Sequence, residues 1–143
     1  MIEQRIPAPA TRIDITIDGR TVSAPEGATI LEAASDTGAD IPTLCYLPTL
    51  DAINSCRACV VEVEGSRTLV PACSREITEG MAIETDSPRV QQARKTVYEL
   101  LASSVDLSLA EPETKRQMER YGVDATRYGE GWRRTDEVKI QDD

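Results

Sequence analysis

The chain has 143 residues, enough for one domain with modest extensions. Hydrophobic residues make up 40% and charged residues 29%, as in a globular protein, but aromatics reach only 3% with no Phe, so a core must come from Val, Ile, Leu and Ala. The net charge of −9 argues against nucleic-acid partners, whose phosphates need Lys and Arg to displace counterions, and suits either solubility or docking on a basic protein patch.

Residues 1–11 hold two prolines and little periodicity, and read as a flexible arm. No apolar run follows their charges, so no secretory signal is expected there, and nothing approaches the roughly 20 apolar residues of a membrane span. The expected location is cytoplasmic, with no direct membrane insertion. In RIDITID, Ile13, Ile15 and Ile17 alternate with Asp14, Thr16 and Asp18, the pattern of a half-buried strand. Asp18-Gly19 supplies the chemistry of a tight hairpin turn, and TVSA returns as the partner. Thr29 and Glu32 form a capping box that opens a helix with Ile30, Leu31, Ala33 and Ala34 on its apolar face. Gly38 is placed to end that helix in the left-handed conformation.

After Ile41-Pro42 comes CYLPTLDAINSCRACVVEVEGSRTLVPAC, which contains all four cysteines as C-x10-C-x2-C-x13-C. Cys59 to Val63 reads as a buried strand, Glu64 to Arg67 as a turn, and Thr68 to Cys73 as a second strand placed at an edge or near its end by Pro71. Gly80 to Thr85 is a further short strand. Ser87-Pro88 then opens a helix in which Val90, Ala93, Val97, Leu100 and Leu101 are expected to face the core. A second helix is expected from about Glu113 to Tyr121, closed by Gly122. The polar segment after Tyr128 has Trp132 as its only large apolar residue; it suits a disordered tail or an anchor peptide on a partner. The order hairpin, helix, loop, hairpin, strand implies a small mixed sheet with a helix packed on one face, an α+β arrangement.

Each fate of four thiols makes its own demands. Zinc usually takes two C-x2-C knuckles or one knuckle with histidines, and this chain has a single knuckle and no histidine. Disulfides belong to oxidising compartments, of which nothing here gives a sign. A [2Fe–2S] cluster needs two pairs of thiolates, and Cys45, Cys56 and Cys59 on one loop with Cys73 on a returning strand could supply them. The short residues Asn54, Ser55 and Ala58 would let backbone N–H groups approach the sulfurs. Cysteine count alone leaves [4Fe–4S] open. The carboxylates assemble no identifiable acid–base pocket, and the glycines no G-x-G-x-x-G, so NAD and flavin would bind elsewhere.

GATILEAASDTGADIPTLCYLPTL followed by CRACVVEVEGSRTLVPACSREITEGMAIETDSPRVQQARKTVYELL resembles one family of [2Fe–2S] domains. It is the ferredoxin-like N-terminal domain of the large peripheral subunit of complex I, of NAD-linked and iron-only hydrogenases, and of NAD-dependent formate dehydrogenases. The likeness runs from about Ile13 to Leu101 and includes Gly27, Pro42, Tyr46, Arg57, Glu62, Val63, Glu64, Gly65, Gly80 and Met81. It implies a β-grasp ferredoxin-like fold and one [2Fe–2S] cluster, with Cys45 and Cys56 on one iron and Cys59 and Cys73 on the other. It also implies a one-electron carrier that is not catalytic alone, relaying electrons between flavin- or NAD(P)-reactive and catalytic subunits of an oxidoreductase of the hydrogenase or molybdenum/tungsten type. A freely diffusing ferredoxin and a non-redox zinc-binding or assembly module are the competing readings. Tyr46 and Leu47 would shield the cluster, and Arg57 would donate to a sulfur or a partner carboxylate, or simply sit at the surface.

Two departures stand out. The family usually has glycine where this chain has Asn54, a residue that tolerates the left-handed region. Longer relatives also carry a histidine and three cysteines for a [4Fe–4S] cluster after the helix; here that stretch reads ASSVDLSLAEPE, with no histidine and no fifth cysteine in the sequence. The expected organisation is an arm at 1–11, a [2Fe–2S] domain at 12–87, a helical extension without second-cluster ligands at 88–128, and a polar tail at 129–143.

Overall fold

The alternating isoleucines do form a strand. In a computed structural model that describes residues 11–129, β1 (Arg12–Ile17) buries Ile15 and Ile17 and leaves Asp14 exposed. Asp18 (φ +49°) and Gly19 (φ +79°) both lie in the left-handed region, which a two-residue hairpin turn requires. β2 (Arg20–Pro25) returns antiparallel, with Ile17 opposite Arg20.

The capping box forms as expected: the Glu32 amide donates to the Thr29 hydroxyl at 3.2 Å, and the Thr29 amide donates to the Glu32 carboxylate at 2.8 Å. Such a cap contributes about 1 kcal/mol, and it opens α1 (Ile30–Ala34). One 3₁₀ turn, Ser35–Thr37, follows, and Gly38 at φ +77° stops it. The remaining strands are β3 (Val60–Val63), β4 (Val70–Pro71) and β5 (Ala82–Glu84). The sheet order is β2-β1-β5-β3-β4, with β5 parallel to β1 and every other pair antiparallel. Asp18 ties the hairpin to the end of β5, accepting from the Thr85 amide at 2.8 Å and its hydroxyl at 2.6 Å. The strand expected over Thr68 to Cys73 shrinks to Val70–Pro71, because Pro71 has no N–H to give and the chain turns at Ala72. Ile15, Ile17, Ile30, Val61, Ile77 and Ile83 build the core, joined by Cys59 and Cys73. This is the α+β, β-grasp ferredoxin-like arrangement.

Ser87 caps α2 (Pro88–Ser104), accepting from the Val90 amide at 3.3 Å, with Pro88 in the first turn. The buried face of α2 is not the expected apolar stripe. Val90 is buried, but Ala93, Val97 and Leu101 are half-buried and Leu100 is 49% exposed. Arg94, Tyr98, Glu99 and Ala102 are buried instead. Polar residues can hold such a face where partners meet them: Arg94 makes three hydrogen bonds, and Glu99 accepts from the Asp124 amide at 3.2 Å and faces Arg127 at 3.4 Å, although its Oε2 makes no hydrogen bond. α3 (Pro112–Arg120) ends at Gly122, φ +61°. No helix among the described residues is long and apolar enough to cross a membrane. The arm expected at 1–11 and the tail expected at 129–143, Trp132 included, lie outside the described residues apart from Thr11 and Gly129.

Charge fastens α3 to the start of the cysteine loop. Asp40 accepts from both Arg116 guanidinium nitrogens at 3.1 Å, from the Gln117 amide at 3.1 Å, and from Arg120. Arg120 also pairs with Asp86 at 3.2 Å, and Arg116 with Glu113 at 2.7 Å. Partial burial pulls the Asp40 carboxyl upward, but the bonds from Arg116 and Gln117 outweigh it and hold the group below its ordinary value. The Arg116 bond does the same for Glu113. Depressed carboxylates stabilise the folded form fully above their unfolded pKa and cease to do so as pH falls through the folded value. Acidification below about pH 4 is therefore expected to lower the amide-exchange protection factors of α3 before those of the β1–β2 hairpin. Exchange measured from pH 6 to pH 3 checks this; simultaneous loss in both segments would refute it.

Candidate metal centre

The loop from Thr43 to Ala58 has no regular secondary structure, so its backbone amides are free to aim at side chains. Two non-glycine residues bend it in the left-handed region: Asn54 at φ +53° and Arg57 at φ +62°. Such residues are uncommon and cluster at sites where the backbone is held for a purpose. They flank Ser55-Cys56. The Cys56 amide points at Cys45 Sγ, 3.4 Å away, and the Ala58 amide at Cys56 Sγ, 3.5 Å away. Asn54 thus takes the conformation that glycine would allow, and its buried Oδ1 has no hydrogen-bond partner.

Cys59 stands at the threshold of β3. Its carbonyl accepts from the Ala72 amide at 3.1 Å, which brings Cys73 alongside. Cys59 and Cys73 are each 2% exposed, whereas Cys45 and Cys56 are half-buried. The four thiols therefore stand two and two. Among the described residues, no three or more His, Cys, Asp or Glu side chains form a group for a single metal ion. Burial pushes the Cys59 thiol up to about 11, with the neighbouring Cys73 thiol adding to the rise and the Cys73 and Ala72 amides offsetting part of it. Burial also raises Cys45, but the Cys56 and Ser55 amides outweigh it and hold that thiol below its ordinary value. Amide dipoles aimed at sulfur favour negative charge there, the same interaction that stabilises a bound iron–sulfur cluster.

Tyr46 is half-buried and packs against the core, whereas Leu47 is 58% exposed. The loop turns its apolar side chains outward: Leu44, Leu50 and Ile53 are 37%, 64% and 69% exposed. Arg57 is exposed as well. Sequence reading missed what lies behind the loop, where Arg94 bonds the carbonyls of Ala58 and Val60 at 3.2 and 2.9 Å. The available signal was the row Val90, Arg94, Tyr98, Ala102, spaced by four along one helix face, with a single arginine interrupting it.

Residues 10–88 match the model of a family described as a 2Fe-2S iron-sulfur cluster binding domain. The chain belongs to that family. It is 47% identical over 131 residues to the NADP-reducing hydrogenase subunit HndD of Solidesulfovibrio fructosivorans, an alignment covering 83% of this chain and 22% of that protein. To the mitochondrial NADH-ubiquinone oxidoreductase 78 kDa subunit of Candida albicans it is 36% identical over 124 residues, covering 82% and 17%. The chain thus spans about a fifth of the length of these curated relatives. A solved NAD+-reducing [NiFe]-hydrogenase in its H2-reduced state superposes with a TM-score of 0.70 at 26% identity, covering 82% of this chain and 52% of that one. The family implies one [2Fe–2S] cluster for this domain. The donor set fits it: two thiol pairs joined by a C-x2-C turn, with backbone N–H groups directed at sulfur.

Proposed function

We propose that this cluster domain is a one-electron carrier in which Cys45 and Cys56 hold one iron and Cys59 and Cys73 the other. The two-and-two arrangement of the thiols carries this reading. The bound cluster supplies a one-electron Fe2+/Fe3+ couple, at a potential on the order of −400 mV if it behaves like plant-type ferredoxins. The four cysteines would hold the cluster, while backbone amides aim their dipoles at Cys45 and Cys56 Sγ and the core encloses Cys59 and Cys73. The protein moves electrons and is not catalytic alone. It works as a relay subunit of a multisubunit oxidoreductase in the cytoplasm, between a flavin- or NAD(P)-reactive subunit and a catalytic one. The relatives named above support that placement, as do the exposed Leu47, Leu50 and Ile53 beside the half-buried cysteines, which suit a protein neighbour more than open water.

Purifying the full chain without oxygen tests the reading through iron and sulfide analysis, visible absorption and low-temperature EPR. Two irons and two sulfides per chain, with a rhombic signal on reduction, are expected. Zinc in place of iron, or no visible absorption, would overturn it. Persistence of a stoichiometric complex at high salt would support the fixed subunit, and an isolated monomer the diffusing carrier.

A further inference from the structure

α2 packs on the sheet with a charged residue in the middle of its buried face. Arg94 is 0% exposed, and its guanidinium has five N–H donors to satisfy. Nε donates to the Ala58 carbonyl at 3.2 Å, Nη2 to the Val60 carbonyl at 2.9 Å, and Nη1 to the Tyr121 hydroxyl at 2.8 Å. The Asp86 carboxylate lies 3.9 Å from Nη1, and the guanidinium carbon stands 5.7 Å from the Tyr121 ring centroid. Ala58 and Val60 are the two neighbours of Cys59. The Cys59 carbonyl itself accepts from Ala72, so the backbone at this thiol is held by α2 and by the turn that carries Cys73 together.

Burying a cation carries a desolvation cost that a leucine at the same place would not incur. The return here is geometric, because a planar fork bonds two carbonyls through two nitrogens held in fixed relation, where an ammonium has a single nitrogen on a flexible stem. The return is also electrostatic. A buried positive charge behind the loop favours whichever cluster state carries more negative charge, which is the reduced one. Tyr121 sits at the end of α3, so the same guanidinium connects that helix to the loop.

We propose that Arg94 is the positioning residue of the cysteine loop: it bonds the carbonyls on both sides of Cys59, favours the reduced cluster by its charge, and links the site to α3 through Tyr121. The electronic half rests on the cluster reading above; the mechanical half does not.

The test compares the full chain with Arg94→Gln, Arg94→Lys and Tyr121→Phe. Amide exchange of residues 56–61 in the metal-free chain reads the mechanical half, and the midpoint potential of the loaded chain the electronic half. Arg94→Gln is expected to speed exchange in 56–61 by about tenfold, with β1–β2 unchanged, and to make the potential more negative. Arg94→Lys should show the fast exchange with a smaller potential shift, because its charge remains. Tyr121→Phe should raise exchange by less than Arg94→Gln does. If Arg94→Gln fails to fold, Arg94→Lys and Tyr121→Phe decide by the same measurements. Wild-type exchange and wild-type potential in a folded Arg94 variant would reduce the residue to packing, whatever happened to its melting temperature. A wild-type chain that assembles no cluster would instead overturn the proposed function, and the exchange comparison would still judge Arg94.

Discussion

Cys73→Ser is expected to leave the chain nearly colourless after reconstitution with iron and sulfide, while Cys45→Ser keeps a measurable share of the absorption. Cys73 is 2% exposed and lies beside Cys59 in the core, so a serine there has no room to move toward a metal. It also buries a hydroxyl, at about 1–3 kcal/mol if unpartnered. Cys45 sits half-buried on a loop without regular structure, where a hydroxyl or a water can substitute for the lost sulfur. Even distant supporting groups cost about 10–100-fold in metal affinity, so losing a ligand outright should lower retained iron by tenfold or more at Cys73. Iron content per chain after gel filtration, with the visible spectrum, makes the comparison. Equal loss in both variants would reject the division into a rigid and an adjustable pair.

That division was only partly legible in the sequence, for a physical reason. Local chemistry reads well from local residues: Asp18-Gly19, the Thr29–Glu32 box and Ser87-Pro88 each specify their own turn or cap, and each appears where expected. The cysteine spacing announced one loop, but the returning strand stops at Pro71 and leaves Cys73 in the turn just after it. The parallel pairing of β1 with β5 depends on contacts between distant segments, as does the shortening of the last hairpin to Val70–Pro71. Apolar periodicity failed on α2 because it counts side chains that dislike water and overlooks those that are bonded away from it. Arg94 is buried because carbonyls 34 and 36 residues earlier are waiting for it. Leu47 is exposed because the loop folds around its thiols and turns its leucines outward.

The other large effect expected is on stability, from Tyr98→Ala. Tyr98 is 1% exposed and stacks on Tyr121 with ring centroids 6.5 Å apart and planes 15° from parallel. Burial first, and the Tyr121 phenol next, push its hydroxyl up to about 12 against the pull of Arg94, so it stays a neutral packing group across the working pH range. Removing a buried aromatic ring costs about 3–5 kcal/mol through lost transfer energy and the cavity left behind. The neighbouring Tyr121 ring also loses its stacking surface, and with it the alignment of the hydroxyl that receives Arg94. A fall in melting temperature of about 10 °C or more is expected for the metal-free full chain. Tyr98→Phe keeps the ring and should stay within about 1 kcal/mol of wild type. Thermal unfolding followed by circular dichroism separates the two variants. If Tyr98→Ala melts with the wild type, α2 and α3 do not unfold with the sheet, and the helices cannot steady the cysteine loop through Arg94. If it melts early, and the iron-loaded variant also releases iron faster, the helices and the cysteine loop are one cooperative unit.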